Sequence, residues 1–245
     1  MRPNGQLLAK VSRPVLRKFR TKIESACLRR DAYLDHVFAH EAKALKDEIP
    51  CPNSPEARAY LQRRLEELDR IPVNFSLSPA TIEAVNRACK ELNVIRDCFI
   101  NRVLFLLSAD MKTCEAVVGI KFLKYLGDIL GEHDRDFLYA PLFGGGLDAV
   151  SEIVSSDPFW AVRNAMDHAR EEWHEEVEPL HACVILPALF RNEPLRAVAL
   201  NCYLPDEYVP GTCAASEADD LLVLREPMDE NPREMRPENV RRKAK

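Results

Sequence analysis

The stretch VNFSLSPATIEAVNRACKELNVIRDCFINRVLFLLS, residues 73–108, decides the predicted fold of this 245-residue chain. Its first six residues alternate between apolar and polar side chains, which is the period of an extended strand with two different faces. Ser78 and Pro79 then predict a helix start, because a serine hydroxyl caps free N–H groups and proline fits the first helical turn. Apolar residues at spacings of three, four and three predict one helix, which Asn93 ends. A short turn leads to a second, more apolar helix over residues 98–108.

The same pattern occurs 66 residues earlier in the chain. Three features recur at that offset. They are the alternating apolar residues of the strand, the spacing of the apolar residues on the first helix, and the entry to the second helix. The matched sets are Leu7, Ala9 and Val11 with Val73, Phe75 and Leu77; Leu16, Phe19, Ile23 and Ala26 with Ile82, Val85, Cys89 and Leu92; and residues 30–37 with residues 96–103. We interpret this recurrence as an internal duplication with repeats 7–45 and 73–110.

A strand, a helix, a short turn and a second helix within about 35 residues resemble the ribbon-helix-helix fold of the Arc and MetJ repressors. The resemblance is carried by the segments NFSLSP, ACKELN and RDCFINRV. In that family two chains pair, so that their strands form an antiparallel ribbon and their four helices form one core. For a chain with two repeats, the resemblance implies internal pairing as a pseudo-dimer.

The predicted fold class is therefore mainly α with a short two-stranded β-ribbon. A fused pseudo-dimeric ribbon-helix-helix domain over residues 1–110, with a linker helix over 55–70, is followed by a mostly helical (α+β) second domain over 111–225. Residues 226–245 contain three prolines and mixed charge, and they are predicted to be a disordered tail.

Within the second region, the pattern predicts that a helix continues over residues 111–130. A further helix is predicted to start after the capping segment at 156–158 and to run to about Glu176. Two apolar runs, residues 181–190 and 195–204, fit either a hairpin or two short helices, because periodicity does not distinguish these structures.

Composition places the chain among ordinary globular proteins, with 47% hydrophobic and 30% charged residues. No apolar run approaches the roughly 20 residues of a membrane span, and the segment MRPNGQLLAK lacks the apolar core of a signal peptide. The eight cysteines include no CxxC pair, and several fall on apolar helix faces. We therefore expect a reduced, cytoplasmic setting and no membrane partner.

The formal net charge of −5 argues weakly against nucleic-acid binding, but the charge is unevenly distributed. Residues 1–30 contain nine Lys and Arg against one acid, whereas residues 128–178 contain thirteen Asp and Glu against three Arg. This separation indicates that the N-terminal end meets a polyanion. Solvated helix surface is an equally good interpretation of the acidic half.

The resemblance also implies which residues would contact double-stranded DNA. In the family, outward side chains of the paired strands enter the major groove and read base edges. Carried onto this chain, the readers are Lys10, Ser12, Asn74, Ser76 and Ser78. Asparagine pairs with adenine, lysine favours guanine and serine is permissive. Leu8 departs from the family pattern, because it places an apolar side chain at a reader position. In the alternative interpretation, the ribbon does not read DNA and serves only for dimerisation.

The family also holds the DNA backbone with the N-terminus of each second helix, where free N–H groups favour phosphate. In this chain those positions carry Arg30 and Arg96, which we expect to reach phosphate. Arg13 would add sequence-independent affinity through counterion release. Asp31 and Asp97 are expected to be helix N-caps.

Other candidate sites have weaker patterns. The three glycines at 144–146 precede a predicted helix over 147–154 but match no phosphate-binding motif. His168 and His174 lie six residues apart, which is not the spacing of a helical zinc pair. The acidic segment 132–136 is better interpreted as solvated surface, and no nucleophile motif is present. The sequence therefore predicts no catalytic residue, no metal ligand and no cofactor.

The leading hypothesis is a sequence-specific DNA-binding protein, most simply a transcriptional repressor, that contacts a partner protein or forms a homo-oligomer through residues 111–225. An alternative is a protein-interaction module, such as an antitoxin or scaffold of a mobile-element or defence system, that uses the ribbon for assembly. A third hypothesis, an enzyme centred on residues 132–176, has little support in the sequence.

Overall fold

The computed structural model describes residues 5–119, 157–174, 176–185 and 198–211. In chain order the elements are β1 (Gly5–Ser12), α1 (Arg13–Ser25), α2 (Arg30–Glu48), α3 (Pro55–Glu66), β2 (Arg70–Leu77), α4 (Pro79–Glu91), α5 (Arg96–Ser108), α6 (Met111–Val118) and α7 (Trp160–Trp173), followed by a 3-10 turn at Asp206–Tyr208. A mainly helical chain with one two-stranded ribbon is thus confirmed.

The ribbon forms because β1 and β2 pair as antiparallel strands along their full length. Their inner faces bury the alternating residues Leu7, Ala9, Val11, Val73, Phe75 and Leu77. Phe75 meets Phe38 of α2 edge to face, with ring centroids 6.0 Å apart, and Phe38 lies 6.2 Å from Phe99 of α5. The inner face of the ribbon therefore rests on α2 and α5.

The helix boundaries follow local capping chemistry. The hydroxyl oxygens of Ser54 and Ser78 accept hydrogen bonds from backbone N–H groups at the starts of α3 and α4, and proline follows each serine. The turns after α1 and α4 place Cys27 and Asn93 in the left-handed region, with φ of 53° and 52°. Asn93 thus ends its helix in the way the sequence predicts.

One hydrophobic core runs from the ribbon into the region beyond residue 110. In the four-helix arrangement, α1 packs against α5 and α2 against α4. The same core includes Val162 and Met166 of α7. A smaller cluster lies between α3, the start of α5 and residues 198–209; its members include Leu61, Leu65, Ile95, Cys98, Val198 and Leu204. Residues on both sides of the predicted domain boundary at 110 therefore share their buried surface.

Three predicted helices are shorter than expected. The linker helix predicted over residues 55–70 ends early, since α3 stops at Glu66 and β2 begins at Arg70. The helix predicted over residues 111–130 is not continuous, since α6 ends at Val118 and Gly119 closes it with a φ of 81°; residues 120–130 lie outside the described residues. Helix α7 ends at Trp173, before the predicted Glu176, because His174 adopts a left-handed conformation.

The remaining expectations for the second region are tested only in part. Residues 181–185 form turns and irregular backbone. The predictions for residues 132–136, 144–146, 147–154 and 226–245 lie outside the described residues. None of the described helices is long and apolar enough to cross a membrane.

Candidate nucleic-acid interface

The outer face of the ribbon presents a row of mainly polar side chains. On β1 these are Gln6, Leu8 and Lys10, and on β2 they are Pro72, Asn74 and Ser76. The register places Gln6 opposite Ser76, Leu8 opposite Asn74, and Lys10 opposite Pro72. All of these residues are exposed except Ser76, which is half-buried. The strand period of two separates this face from the buried one.

Three of the five predicted readers, Lys10, Asn74 and Ser76, lie on this outer face. Ser12 does not, because it is only 5% exposed and its backbone N–H donates to Asn101 Oδ1 at 2.7 Å. Its predicted outward position is therefore wrong. The hydroxyl of Ser78 caps α4, since it accepts from the backbone N–H of Thr81 at 3.2 Å.

Two outer-face residues, Gln6 and Pro72, are missed by the sequence prediction. The signal that could have found them is the same alternation, which continues one step towards the N-terminus of each strand. The predicted strands begin at Leu7 and Val73, so the flanking residues escape notice. Gln6 adds a side-chain amide with both donor and acceptor capacity.

The predicted phosphate-contacting arginines lie beside the ribbon. Arg30 Nη2 donates to the carbonyl oxygen of Asn74 at 3.1 Å, and Arg96 Nη2 donates to that of Leu8 at 2.8 Å. Both arginines are half-buried, so their guanidinium groups lie at the border between the ribbon and the solvent. Arg13 is exposed and pairs with Asp69 at 2.9 Å, a kind of contact that holds a side chain only weakly.

Asp31 and Asp97 are not N-caps, contrary to the prediction. The residues at the N-cap positions of α2 and α5 are Arg29 and Ile95. Asp31 Oδ2 instead accepts from the backbone N–H of Ser76, and Asp97 Oδ2 accepts from that of Lys10, each at 3.2 Å. A two-stranded ribbon leaves one edge of each strand without a strand partner, and these carboxylates satisfy N–H groups on those edges.

The contacts that hold the ribbon recur at the 66-residue offset. The bond from Arg30 to the carbonyl oxygen of Asn74 matches the bond from Arg96 to the carbonyl oxygen of Leu8. The bond from the Ser76 N–H to Asp31 matches the bond from the Lys10 N–H to Asp97. The bond from the Ser78 N–H to Asp35 matches the bond from the Ser12 N–H to Asn101. In every case a residue of α2 bonds to β2 or to Ser78 just after it, and the matching residue of α5 bonds to β1. Leu8 also lies opposite Asn74, its own counterpart at that offset.

The two ends of the ribbon differ in charge. Lys10 and Arg13 at one end correspond, at the 66-residue offset, to Ser76 and Pro79 at the other. The exposed cations Arg17, Lys18 and Arg20 of α1 correspond to Glu83, Ala84 and Asn86 of α4. The end where β1 enters α1 therefore carries the stronger positive potential.

A buried ionic cluster lies away from the ribbon, between α2 and α7. Glu41 Oε2 accepts from Arg163 Nη2 and from His181 Nε2, both at 2.8 Å, and Glu41 Oε1 lies 3.1 Å from His40 Nδ1. Burial by itself would raise the pKa of Glu41, but the bonds to His181 and His40 outweigh it and hold that pKa well below its usual range. Burial would lower the pKa of His181, but the contacts with Cys202 and Glu41 raise it to about 9.

This cluster does not have the character of a metal site. Ligand atoms of His40, Glu41 and Asp157 lie within 4.8 Å of one another, which is close enough for an ion. However, the guanidinium of Arg163 donates to both Glu41 and Asp157 and already occupies carboxylate oxygens that an ion would need. A divalent cation would have to displace the Arg163 guanidinium, and the two positive charges would repel each other.

The chain matches no protein-family model, no curated protein and no solved structure.

Proposed function

We propose that the chain is a sequence-specific double-stranded DNA-binding protein, most simply a transcriptional regulator, built on a fused pair of ribbon-helix-helix units. The observation that carries this proposal is the ribbon. One face of it is buried in the core, and the other presents Lys10, Asn74 and their neighbours to solvent. The recurrence of the edge contacts at the 66-residue offset supports a pseudo-dimer made by one polypeptide.

The size of the ribbon suits the major groove of DNA. Paired strands lie about 4.8 Å apart, whereas the major groove of B-DNA is about 12 Å wide and admits a two-stranded ribbon. Lysine, asparagine and glutamine are side chains that read base edges there, and all three types are present on the outer face.

The flanks of the ribbon would supply contacts with the DNA backbone. A groove of 430 Å³ lies at the N-terminus of α5 and is lined by Arg58, Lys90 and Arg96, together with Asp97. Free N–H groups at a helix N-terminus favour phosphate, and the three cations more than offset the carboxylate of Asp97. Arg30 occupies the corresponding position on α2.

The proposal is tested by the salt dependence of binding to duplex DNA of random sequence, measured by fluorescence anisotropy. Arg13→Ala should lower the slope of log K against log salt by about 0.9, the contribution of one phosphate contact, because Arg13 is exposed at the end of the ribbon where β1 enters α1. Lys43→Ala is the matched control, because Lys43 is exposed on α2 and lies 13 residues from the start of that helix, roughly 20 Å along its axis. It should leave the slope unchanged.

A stricter version of the test uses a target selected from random DNA. The triple alanine variant of Lys10, Asn74 and Ser76 should lose discrimination between that target and unrelated DNA. Undiminished discrimination by this variant would overturn the proposal, since no other exposed row of polar side chains lies on the ribbon in the described residues.

A further inference from the structure

We infer that the chain recognises a non-palindromic DNA site and binds it in one fixed orientation. This inference rests on the proposed function and concerns what the ribbon would read. Two observations carry it. The register of the ribbon makes each outer position of β1 equivalent to one outer position of β2, and the two residues at each pair of equivalent positions are of different types.

The register gives the ribbon a local two-fold relation with different chemistry on its two halves. Leu8 and Asn74 face each other at its centre and are counterparts at the 66-residue offset. Away from the centre, Lys10 corresponds to Ser76 and Gln6 corresponds to Pro72. A ribbon made from two identical chains would present identical residues at such positions and would match a palindrome. Here each equivalent position carries a different side chain.

The end of the ribbon that carries Lys10 should select guanine. A lysine ammonium is a donor that suits the O6 and N7 acceptors of guanine in the major groove. Its cross-strand neighbour is Pro72, which has no polar group in its side chain and cannot compete for the same base. Arg13 and the exposed cations of α1 lie at this end and would anchor it to phosphate.

The opposite end should select adenine, and it should contribute less to the binding affinity than the end that carries Lys10. Gln6 and Ser76 lie side by side there, and neither is charged. A glutamine amide can donate to N7 and accept from the N6 amino group of adenine. The adjoining helix α4 begins with Pro79 where α1 has Arg13, so this half of the site has less electrostatic support.

The centre of the ribbon should prefer one A·T pair in a defined orientation. Leu8 is 54% exposed, and among the described residues it is the one large apolar side chain that is exposed. It lies directly opposite Asn74. Asparagine pairs with adenine, while an apolar side chain contacts the methyl group of thymine. Together they would read the two bases of one pair, with adenine towards β2 and thymine towards β1.

The experiment is selection of bound duplexes from a random pool by the full chain, followed by binding titrations on single-base variants of the motif. We expect a motif without dyad symmetry, with guanine at one end and a central A·T pair. Reversal of the central pair should weaken binding on the order of tenfold.

A symmetrised chain tests the assignment of each residue. Leu8→Asn, Pro72→Gln and Ser76→Lys together make the outer residues of the two strands the same. All three positions lie at the surface of the ribbon, and circular dichroism and thermal unfolding check that the fold is kept. This variant should select a palindrome with guanine at both ends. As a single, independent change, Lys10→Ser should abolish the preference for guanine at one end and leave the rest of the motif intact.

The outcomes separate this inference from the proposed function. A palindromic motif for the unmodified chain would overturn the inference and leave DNA binding standing, as would an unchanged motif for Lys10→Ser. Absence of salt-sensitive binding to any duplex in the pool would overturn the proposed function itself.

Discussion

Glu41 joins α2 to α7 and to the segment after α7 through buried polar contacts. Its side chain is fully buried, and its two oxygens contact His40, Arg163 and His181. At the 66-residue offset its counterpart is Leu107, an ordinary core residue. A carboxylate thus occupies a core position because cations from α7 and from the segment after it meet it there.

Removal of that carboxylate should destabilise the protein strongly. Glu41→Gln keeps the shape of the side chain but leaves Arg163 and a protonated His181 buried without their shared partner. We expect the free energy of unfolding in urea to fall by about 3 kcal/mol, the cost typical of breaking a buried ion pair from one side.

The matched control for this change is Glu91→Gln. Glu91 pairs with Lys46 on the surface, and both side chains are 45% exposed. Water and salt screen such a pair, so this variant should unfold at nearly the same urea concentration as the parent. Equal losses from both substitutions would show that burial of Glu41 has no special role.

The same cluster predicts that stability falls with rising pH. The pKa of His181 is about 9 in the folded protein and near its ordinary value of 6.5 in the unfolded chain. The folded state therefore binds the proton more tightly, so the stabilisation is complete below pH 6.5 and is lost as the pH rises through 9. Between those limits the free energy of unfolding should fall by up to about 1.4 kcal/mol per pH unit.

Urea unfolding over that pH range, with His181→Gln as the comparison, isolates this contribution. The pKa of His40 is also raised, chiefly by its bond to Glu41, so part of the trend should remain in the variant. If the parent and the variant have parallel pH profiles, His181 is not the group responsible.

At the scale of single elements, the two strand-to-helix junctions differ in their caps. The Ser78 hydroxyl accepts from the N–H of Thr81 at the start of α4, whereas Ser12 forms no side-chain cap at the start of α1. Ser78→Ala should therefore lower the free energy of unfolding by about 1 kcal/mol. Ser12→Ala, at the equivalent position, should have a much smaller effect. Similar losses in urea titrations of the two variants would contradict this difference.

The elements that could be predicted are those with a local periodic signal. The alternation from Val73 to Leu77 predicts the strand and its buried face, and the Ser78–Pro79 pair predicts the start of α4, because both signals depend only on neighbouring residues. The buried face of β1 is found in the same way. Agreement is therefore good for the ribbon and its helices.

The edge contacts of the ribbon could not be predicted, because they depend on tertiary geometry. Asp31 has the local appearance of an N-cap, and its bond to the N–H of Ser76 exists only once β2 lies beside α2. Ser12 continues the polar face by its period, but the chain turns into α1 there and buries it beside Asn101. Likewise, Glu41 and His181 are 140 residues apart, and no pattern in the sequence links them.

For the molecule as a whole, the described residues beyond 110 add to the core of the ribbon and its helices. Arg102 of α5 is fully buried, and its guanidinium donates to the carbonyl oxygens of Leu180 and Cys183 and to Asn201 Oδ1. Glu41 makes the corresponding connection from α2. Arg102 of α5 and Glu41 of α2 thus bond α5 and α2 to the described segments after residue 110. Their polar bonds add to the apolar core that both parts share.

This arrangement predicts that both parts unfold together. Trp173→Phe leaves Trp160 at the start of α7 as the single tryptophan, since the chain contains two. Its fluorescence should then report the α7 region, while far-ultraviolet circular dichroism reports the helices as a whole. Because α7 and the repeats bury the same apolar surface, the two signals should change at the same urea concentration. Adding Glu41→Gln should shift both curves together to lower urea, whereas a fluorescence change that precedes the loss of helix would place an independent unit after residue 110.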